Sequence, residues 1–188
     1  KDRLVTFGEV PNSPETGYGY IKAKNPFSHS ALAGSDIECF IEKPNKVRAK
    51  LFIKDKRFTW NSGIFLFKAS VILEEIENLS PELIKHCKKS FETQTYDLDF
   101  LRLNKNYFKK CPGISIDIAV MEKTKKGTVL PLDAGWSDIG SWSTVWKVSE
   151  KDQRGNVIKG NVTIRNTDNC YLSSETRLIA GIGLNNLL

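Results

Sequence analysis

Nothing in this sequence approaches the roughly 18 consecutive apolar residues that a bilayer-spanning helix requires. The best run, residues 64–73, is short and broken by Lys68, so no membrane partner is expected. Lys1-Asp2-Arg3 leads straight into a strand-like pattern, so no signal peptide is read there. Histidine is scarce: His29 and His86 read as surface residues, and neither stands at zinc-site spacing from a cysteine. The four cysteines, Cys39, Cys87, Cys111 and Cys170, include no Cys-x-x-Cys pair. They are expected to be reduced and partly buried, as in a cytoplasmic protein. There is no Gly-x-Ser-x-Gly elbow and no Walker A loop. Composition alone leaves a Ser-His-Asp arrangement open.

What is present is ordinary for a globular chain: 40% hydrophobic and 27% charged residues in 188, enough for one medium domain, or for one domain plus the start of another. The net charge of +6 suits an anionic small molecule as well as nucleic acid. The basic residues are scattered, with the densest groups at Lys109-Lys110 and residues 123–126. That pattern argues for a solvated surface and against a nucleic-acid partner.

Along the chain, residues 4–10 read as a strand closed by Pro11-Asn12-Ser13-Pro14. A glycine-bearing loop enters a short strand by residue 23, and residues 24–35 read as a surface excursion. Residues 37–42 form a strand stopped by Pro44, and residues 45–53 a short helix. Residues 64–67 are continuously apolar, as in a strand covered on both faces. Residues 70–78 have helical spacing, and Ser80-Pro81-Glu82 resembles a helix start with Ser80 as cap. Residues 91–108 read as loop plus a helical piece. Residues 115–124 read as a helix capped by Ser115 with Asp117 in its first turn. A strand at 128–132 and a helix capped by Ser141 follow. Beyond Lys151, glycines and asparagines punctuate short β-type runs. The order predicts an α/β domain with a mixed sheet over residues 1–150 and a β-rich element over 151–188. Ligands of such sheets bind at the carboxyl ends of strands.

Four segments carry candidate chemistry, and three of them fall at or beside such ends. In Thr16-Gly17-Tyr18-Gly19-Tyr20, two glycines allow close backbone approach and the ring can pack on a sugar; a tight turn beside a bulge would look the same. In Ile41-Glu42-Lys43-Pro44, strand alternation places Glu42 and Lys43 on opposite faces. Glu42 can accept from two hydroxyls, and Lys43 is a point charge suited to phosphate; a pair of exposed edge charges is the alternative. In Trp60-Asn61-Ser62-Gly63, Asn61 both donates and accepts, or forms an Asx-turn before a buried strand. In Trp136-Ser137-Asp138-Ile139-Gly140-Ser141-Trp142, Asp138 is a loop carboxylate able to take part in a Mg2+ site, or a turn residue beside a cap. Asp117 and Lys123 are candidates for a supporting role behind these groups.

These segments, with Ser115-Ile116-Asp117-Ile118-Ala119-Val120-Met121-Glu122-Lys123, stand in the order found in the mannose-1-phosphate guanylyltransferases, and the sequence resembles that family over nearly its whole length. It is most similar to the bacterial type in which a phosphomannose isomerase domain follows. The resemblance implies a Rossmann-like (GT-A-like) nucleotidyltransferase sheet, then the start of a left-handed β-helix-like segment. It implies GDP-mannose and pyrophosphate made from GTP and mannose 1-phosphate, in the cytoplasm, with Mg2+ as cofactor. Glu42, Asn61 and Gly63 would line the sugar site beside the backbone of Gly17, Tyr18 and Gly19; Lys43 would take the phosphate and Asp138 the metal. The family's Gly-rich triphosphate loop is not among these residues. The expectation is therefore a partial, inactive transferase domain whose half-sheet exposes an edge. A homo-oligomer is left open. So are two other readings: another sugar-nucleotide pyrophosphorylase, and a non-catalytic sugar-nucleotide-binding regulatory subunit.

Overall fold

A computed structural model describes residues 2–27 and 33–188; His29 lies outside them. The chain divides into two compact units, Lys1–Trp136 and Ser137–Leu188. Among the described residues, no helix is long and apolar enough to cross a membrane.

The first unit is built on a mixed sheet of β1 (Leu4–Glu9), β2 (Tyr20–Ala23), β3 (Ser35–Ile41), β4 (Phe58–Leu66) and β7 (Gly127–Leu132). Pairing runs β1-β4-β2-β3-β7 and closes into a barrel. β1 and β7 are parallel, and the other pairs are antiparallel. Among the described residues this sheet does not show the expected free edge: Ser35 and Asp36 pair with Val129 and Thr128 and bring β3 round to β7.

Alternation along the strands sends side chains into two cores. Leu4, Ile21, Phe40 and Val129 pack with Val71 and Ile72 of α2 (Ala69–Leu79) and with Ala119, Val120 and Met121. Tyr20, Phe58 and Trp60 pack with Ala49 of α1 (Lys46–Phe52). The α1 helix starts where Asn45 caps it, its side chain accepting from the Arg48 N–H at 2.9 Å. The helix α3 (Pro81–Glu92) has Pro81 in its first turn as expected, but Ser80 does not cap it with its side chain. Its hydroxyl donates instead to the Ala119 carbonyl at 3.1 Å, tying the helix start to the first core.

Several elements differ from the sequence reading. Residues 95–102 form a hairpin, β5 (Thr95–Asp97) with β6 (Phe100–Arg102), before the short α4 (Lys105–Phe108). The expected helix at 115–124 is a single π-helical turn, Asp117–Met121. The strand around Ile64 begins earlier, at Phe58, because Phe58–Trp60 pair with β2. Its apolar end is not covered on both faces: Ile64 is 48% and Leu66 62% exposed, while Phe58, Thr59 and Trp60 are buried. His86 is not a surface residue; its side chain is half-buried on α3. Cys39, Cys87 and Cys111 are half-buried and Cys170 is buried, all as free thiols.

The second unit holds α5 (Trp142–Val148), β8 (Val157–Arg165) and β9 (Tyr171–Ile182). Ser141 caps α5 through the Thr144 N–H at 3.2 Å. The two strands are parallel, Val157 facing Tyr171 and Val162 facing Ile179, and a further parallel bridge joins Asp168 to Asn185. The buried Asn156 amide holds the turns together. It donates to the Thr167 carbonyl and to Asp152, and accepts from the Cys170 N–H. With its donors and acceptor matched, it replaces the hydration it loses.

One buried charge binds α2 to the segment leading into β7. The Glu75 carboxylate accepts from the Thr124 hydroxyl at 2.5 Å and lies 3.1 Å from the Lys126 ammonium. Burial pushes its carboxyl up, but these two partners outweigh burial and hold it below its ordinary value of 4.5. Its contribution is thus complete above about pH 4.5 and drains away as pH falls through the lower folded value. Glu75→Gln is expected to cost about 1–2 kcal/mol at neutral pH. It should also flatten the acid limb of the stability profile, as read from denaturant midpoints across that range.

Candidate active site

The strand order places the expected residues around one glycine. Strand β2 lies between β3 and β4, so Gly19, just ahead of it, is flanked by the residue following β3 and by the middle of β4. Those are Glu42 and Asn61. A Cβ on Gly19 would stand 2.7 Å from Glu42 Oε2 and 3.3 Å from Asn61 Cβ. Only glycine fits this approach without displacing the carboxylate. The Gly19 carbonyl accepts from the Asn61 N–H at 2.8 Å, which locks the spacing. Gly17 is different: it is exposed, and a Cβ there would meet nothing within 4 Å. The Tyr18 ring lies edge-on to Trp60 at 5.2 Å and to Trp136 at 5.6 Å, forming an aromatic wall beside the glycine.

Asn61 sits in a bulge. Gly8 faces Asn61 but Thr6 faces Phe65, so β4 carries extra residues where it passes β1. Gly63, with φ of +71°, makes the bend, and its N–H donates to Asn61 Oδ1 at 3.1 Å. The Thr6 hydroxyl lies 3.2 Å from the same oxygen. Asn61 Nδ2 donates to Asp117 Oδ1 at 3.1 Å. Asp117 is thus brought behind Asn61 by the π turn. Thr6 was not legible as a site residue: threonine is common in strands, and only the β1–β4 pairing sets it against Asn61.

Lys43 is not on the face opposite Glu42. The strand ends at Ile41, and Lys43 has φ of +44°, which returns its ammonium to 3.5 Å from Glu42 Oε1. Its side chain is 65% exposed, so this ion pair is weak and readily exchanged for an anionic ligand. Lys123 is exposed after the π turn. None of the side-chain hydrogen bonds or ion pairs found among the described residues joins it to Asn61, Asp117 or Glu42.

Asp138 belongs to the second unit. It is exposed, and a Cβ on Gly140 would lie 2.7 Å from its Oδ2. Among the described residues, no three acidic, histidine or cysteine side chains gather into a metal-binding group. A single accessible carboxylate nevertheless suits Mg2+, which commonly takes one or two protein carboxylates beside water and phosphate oxygens.

The geometry gives acceptor, donor and cation around a close-approach glycine beside aromatic rings. This arrangement suits a hydroxyl-rich, anionic small molecule. Known proteins point the same way. The curated mannose-1-phosphate guanylyltransferases of Salmonella montevideo and Klebsiella pneumoniae are 45% and 43% identical to this chain, over 99% and 98% of its length. The chain spans only 40% and 39% of those relatives. A crystal structure of mannose-1-phosphate geranyltransferase from Thermus thermophilus matches with a TM-score of 0.78 at 28% identity, covering 97% of this chain and 51% of that one. Mannose-6-phosphate isomerase from Helicobacter pylori matches with a TM-score of 0.63 at 35% identity, covering 73% of this chain and 53% of that one. The nucleotidyl transferase family model matches residues 1–155, and the chain belongs to that family.

Proposed function

We propose that this chain is the sugar-phosphate-binding part of a mannose-1-phosphate guanylyltransferase, which makes GDP-mannose and pyrophosphate from GTP and mannose 1-phosphate. The observation that carries this reading is the convergence of Glu42 and Asn61 on Gly19, in a chain whose curated relatives bear that name. Glu42, which can only accept when ionised, takes hydrogens from sugar hydroxyls. Asn61 donates to a neighbouring one. The backbone of Gly17, Tyr18 and Gly19 lies along the sugar, and Gly63 shapes the Asn61 side. Lys43 exchanges its weak pairing with Glu42 for the phosphate of the sugar phosphate.

In this reading a phosphate oxygen of mannose 1-phosphate attacks the α-phosphorus of GTP, and pyrophosphate leaves. The chain's residues orient the attacking group, which is most of what phosphoryl chemistry asks of a protein. Asp138 would hold Mg2+, which when bound neutralises phosphate charge as a Lewis acid. The family's triphosphate loop is not among residues 1–188, and this reading assigns none of these residues to the nucleotide. The same holds for any mannose-6-phosphate isomerase activity, the name carried by the Helicobacter pylori neighbour. Residues 1–150 form the transferase part, Rossmann-like once completed. The parallel strands beyond 151 are the first windings of a β-helix-like segment, a reading supported by the Val157–Tyr171 and Asp168–Asn185 pairings.

In the enzyme as its gene encodes it, Lys43→Ala is expected to raise KM for mannose 1-phosphate about 10-fold or more, with a smaller change in kcat. Steady-state kinetics with the sugar phosphate varied at saturating GTP checks this. Asp138→Asn is expected to lower kcat roughly 100-fold or more and, because the side chain is exposed, to leave Tm unchanged. Competition among mannose, glucose and N-acetylglucosamine 1-phosphates separates the mannose reading from another pyrophosphorylase. A protein that binds GDP-mannose without turnover would instead be a regulatory subunit.

A further inference from the structure

The hydrogen-bonding capacity of Asn61 is almost fully spent inside the protein. Its amide oxygen has two acceptor positions, and two donors face it: the Gly63 N–H at 3.1 Å and the Thr6 hydroxyl at 3.2 Å. Its nitrogen carries two hydrogens. One goes to Asp117 Oδ1 at 3.1 Å. An ionised carboxylate can only accept, and a backbone N–H can only donate. These two partners therefore forbid the amide from turning over. What remains for a ligand is one N–H.

From this arrangement we infer that Thr6 and Asp117 are positioning residues for sugar recognition, holding the Asn61 amide as a pure donor toward the substrate. The inference rests on the sugar-phosphate reading above. Thr6 is fully buried, so it cannot touch a ligand and acts only through Asn61. The one hydrogen of its hydroxyl is shared between Asn61 Oδ1 and the Ile64 carbonyl, 3.3 Å away, so it spans the bulge and couples the bulge geometry to the amide. Asn61 as donor and Glu42 as acceptor then stand on either side of Gly19. That order selects a pair of hydroxyls, one accepting and one donating, and disfavours a ligand that presents two hydrogens or two lone pairs.

The test is a double-mutant cycle in the enzyme as its gene encodes it, reading KM and kcat for mannose 1-phosphate together with KM for GTP. Thr6→Val keeps the shape and removes the hydroxyl; Thr6→Ser keeps the hydroxyl; Asp117→Asn frees the amide to turn over. Thr6→Val and Asp117→Asn are each expected to raise KM for the sugar phosphate about 5–10-fold with KM for GTP unchanged. Thr6→Ser should stay near wild type, and neither change should have a further effect in an Asn61→Ala background. Fully additive effects in that background overturn the inference, as does equal impairment by Thr6→Val and Thr6→Ser. Should Thr6→Val fail to fold, the half-buried Asp117 carries the same cycle. If Asn61→Ala itself leaves KM for mannose 1-phosphate unchanged, the sugar-site reading falls and the inference falls with it. If Asn61→Ala raises KM while Thr6→Val and Asp117→Asn do not, only the inference falls.

A second observation stands apart from the site. The thiols of Cys87 on α3 and Cys111 beyond α4 lie 3.7 Å apart, in contact. Lysines adjoin both, Lys88-Lys89 after the first and Lys109-Lys110 before the second. Lys89 and Lys110 both approach the Tyr107 ring, at 5.8 and 5.6 Å. The geometry points to a reversible Cys87–Cys111 disulfide, formed by exchange with an anionic low-molecular-weight disulfide. One cysteine, as thiolate, attacks the oxidant's S–S bond and releases one thiolate; the other then attacks the protein-bound sulfur and releases a second. The two cysteine protons pass to the two released thiolates, so the protein is oxidised and the oxidant reduced to two thiols. Side-chain rotation must bring the sulfurs from contact to a bond of about 2.0 Å.

Incubation of the protein with oxidised glutathione should lower its mass by about 2 Da. It should also link the peptides holding Cys87 and Cys111, and raise Tm by roughly 5 °C or more, because the bond closes a loop around the β5–β6 hairpin. Dithiothreitol should reverse all three changes, and Cys87→Ser should prevent them. Stable glutathione adducts on either cysteine without a cross-link, or an unchanged mass, overturn the assignment.

Discussion

The candidate site depends on a steric constraint at Gly19. The neighbouring strands bring Glu42 and Asn61 to within 2.7 and 3.3 Å of the place where any other residue would put its Cβ. That approach exists because β2 is flanked on both sides, by β3 and by β4. The backbone bond from Asn61 to the Gly19 carbonyl keeps it so. Sheet order, the bulge in β4 and the left-handed turn at Lys43 all serve to gather one acceptor, one donor and one cation at that point.

Polar groups around this point are arranged in depth. Glu42 and Lys43 stand partly in solvent and hold each other loosely, so they can change partners at little cost. Asn61 is held from behind by Thr6, Gly63 and Asp117, each donor matched to an acceptor. Asn61 is fixed in orientation, whereas Lys43 is left free to move. The Glu75 cluster uses the same chemistry for stability alone, joining α2 to the segment leading into β7.

Local features were legible in the sequence. The short helix near residue 45, Pro81 opening α3 and Ser141 capping α5 all follow from short-range rules. The strand leading to Glu42 was legible too, although it ends at Ile41, one residue before the expected end. What could not be read depends on partners distant in sequence. Ser80 has the sequence context of a cap, yet its hydroxyl is taken by Ala119. The bulge around Ser62 is set by pairing with Thr6 and Gly8, and barrel closure by the pairing of Ser35 and Asp36 with β7. Alternation puts Lys43 opposite Glu42 only if the strand continues, and it stops at Ile41. The apolar run at 64–67 suggests two covered faces, but burial belongs to Phe58–Trp60, which pairs with β2 and packs on α1.

Gly19→Ala in the enzyme as its gene encodes it tests the central claim most directly. The added methyl displaces the far end of the flexible Glu42 side chain and crowds Asn61 Cβ at 3.3 Å, so the fold should survive with Tm within about 2–4 °C of wild type, the shift of a change near 1 kcal/mol. If Gly19 is where sugar acceptor and donor converge, KM for mannose 1-phosphate rises about 10-fold or more while KM for GTP holds. A well-folded Gly19→Ala enzyme with an unchanged KM for mannose 1-phosphate would contradict the account.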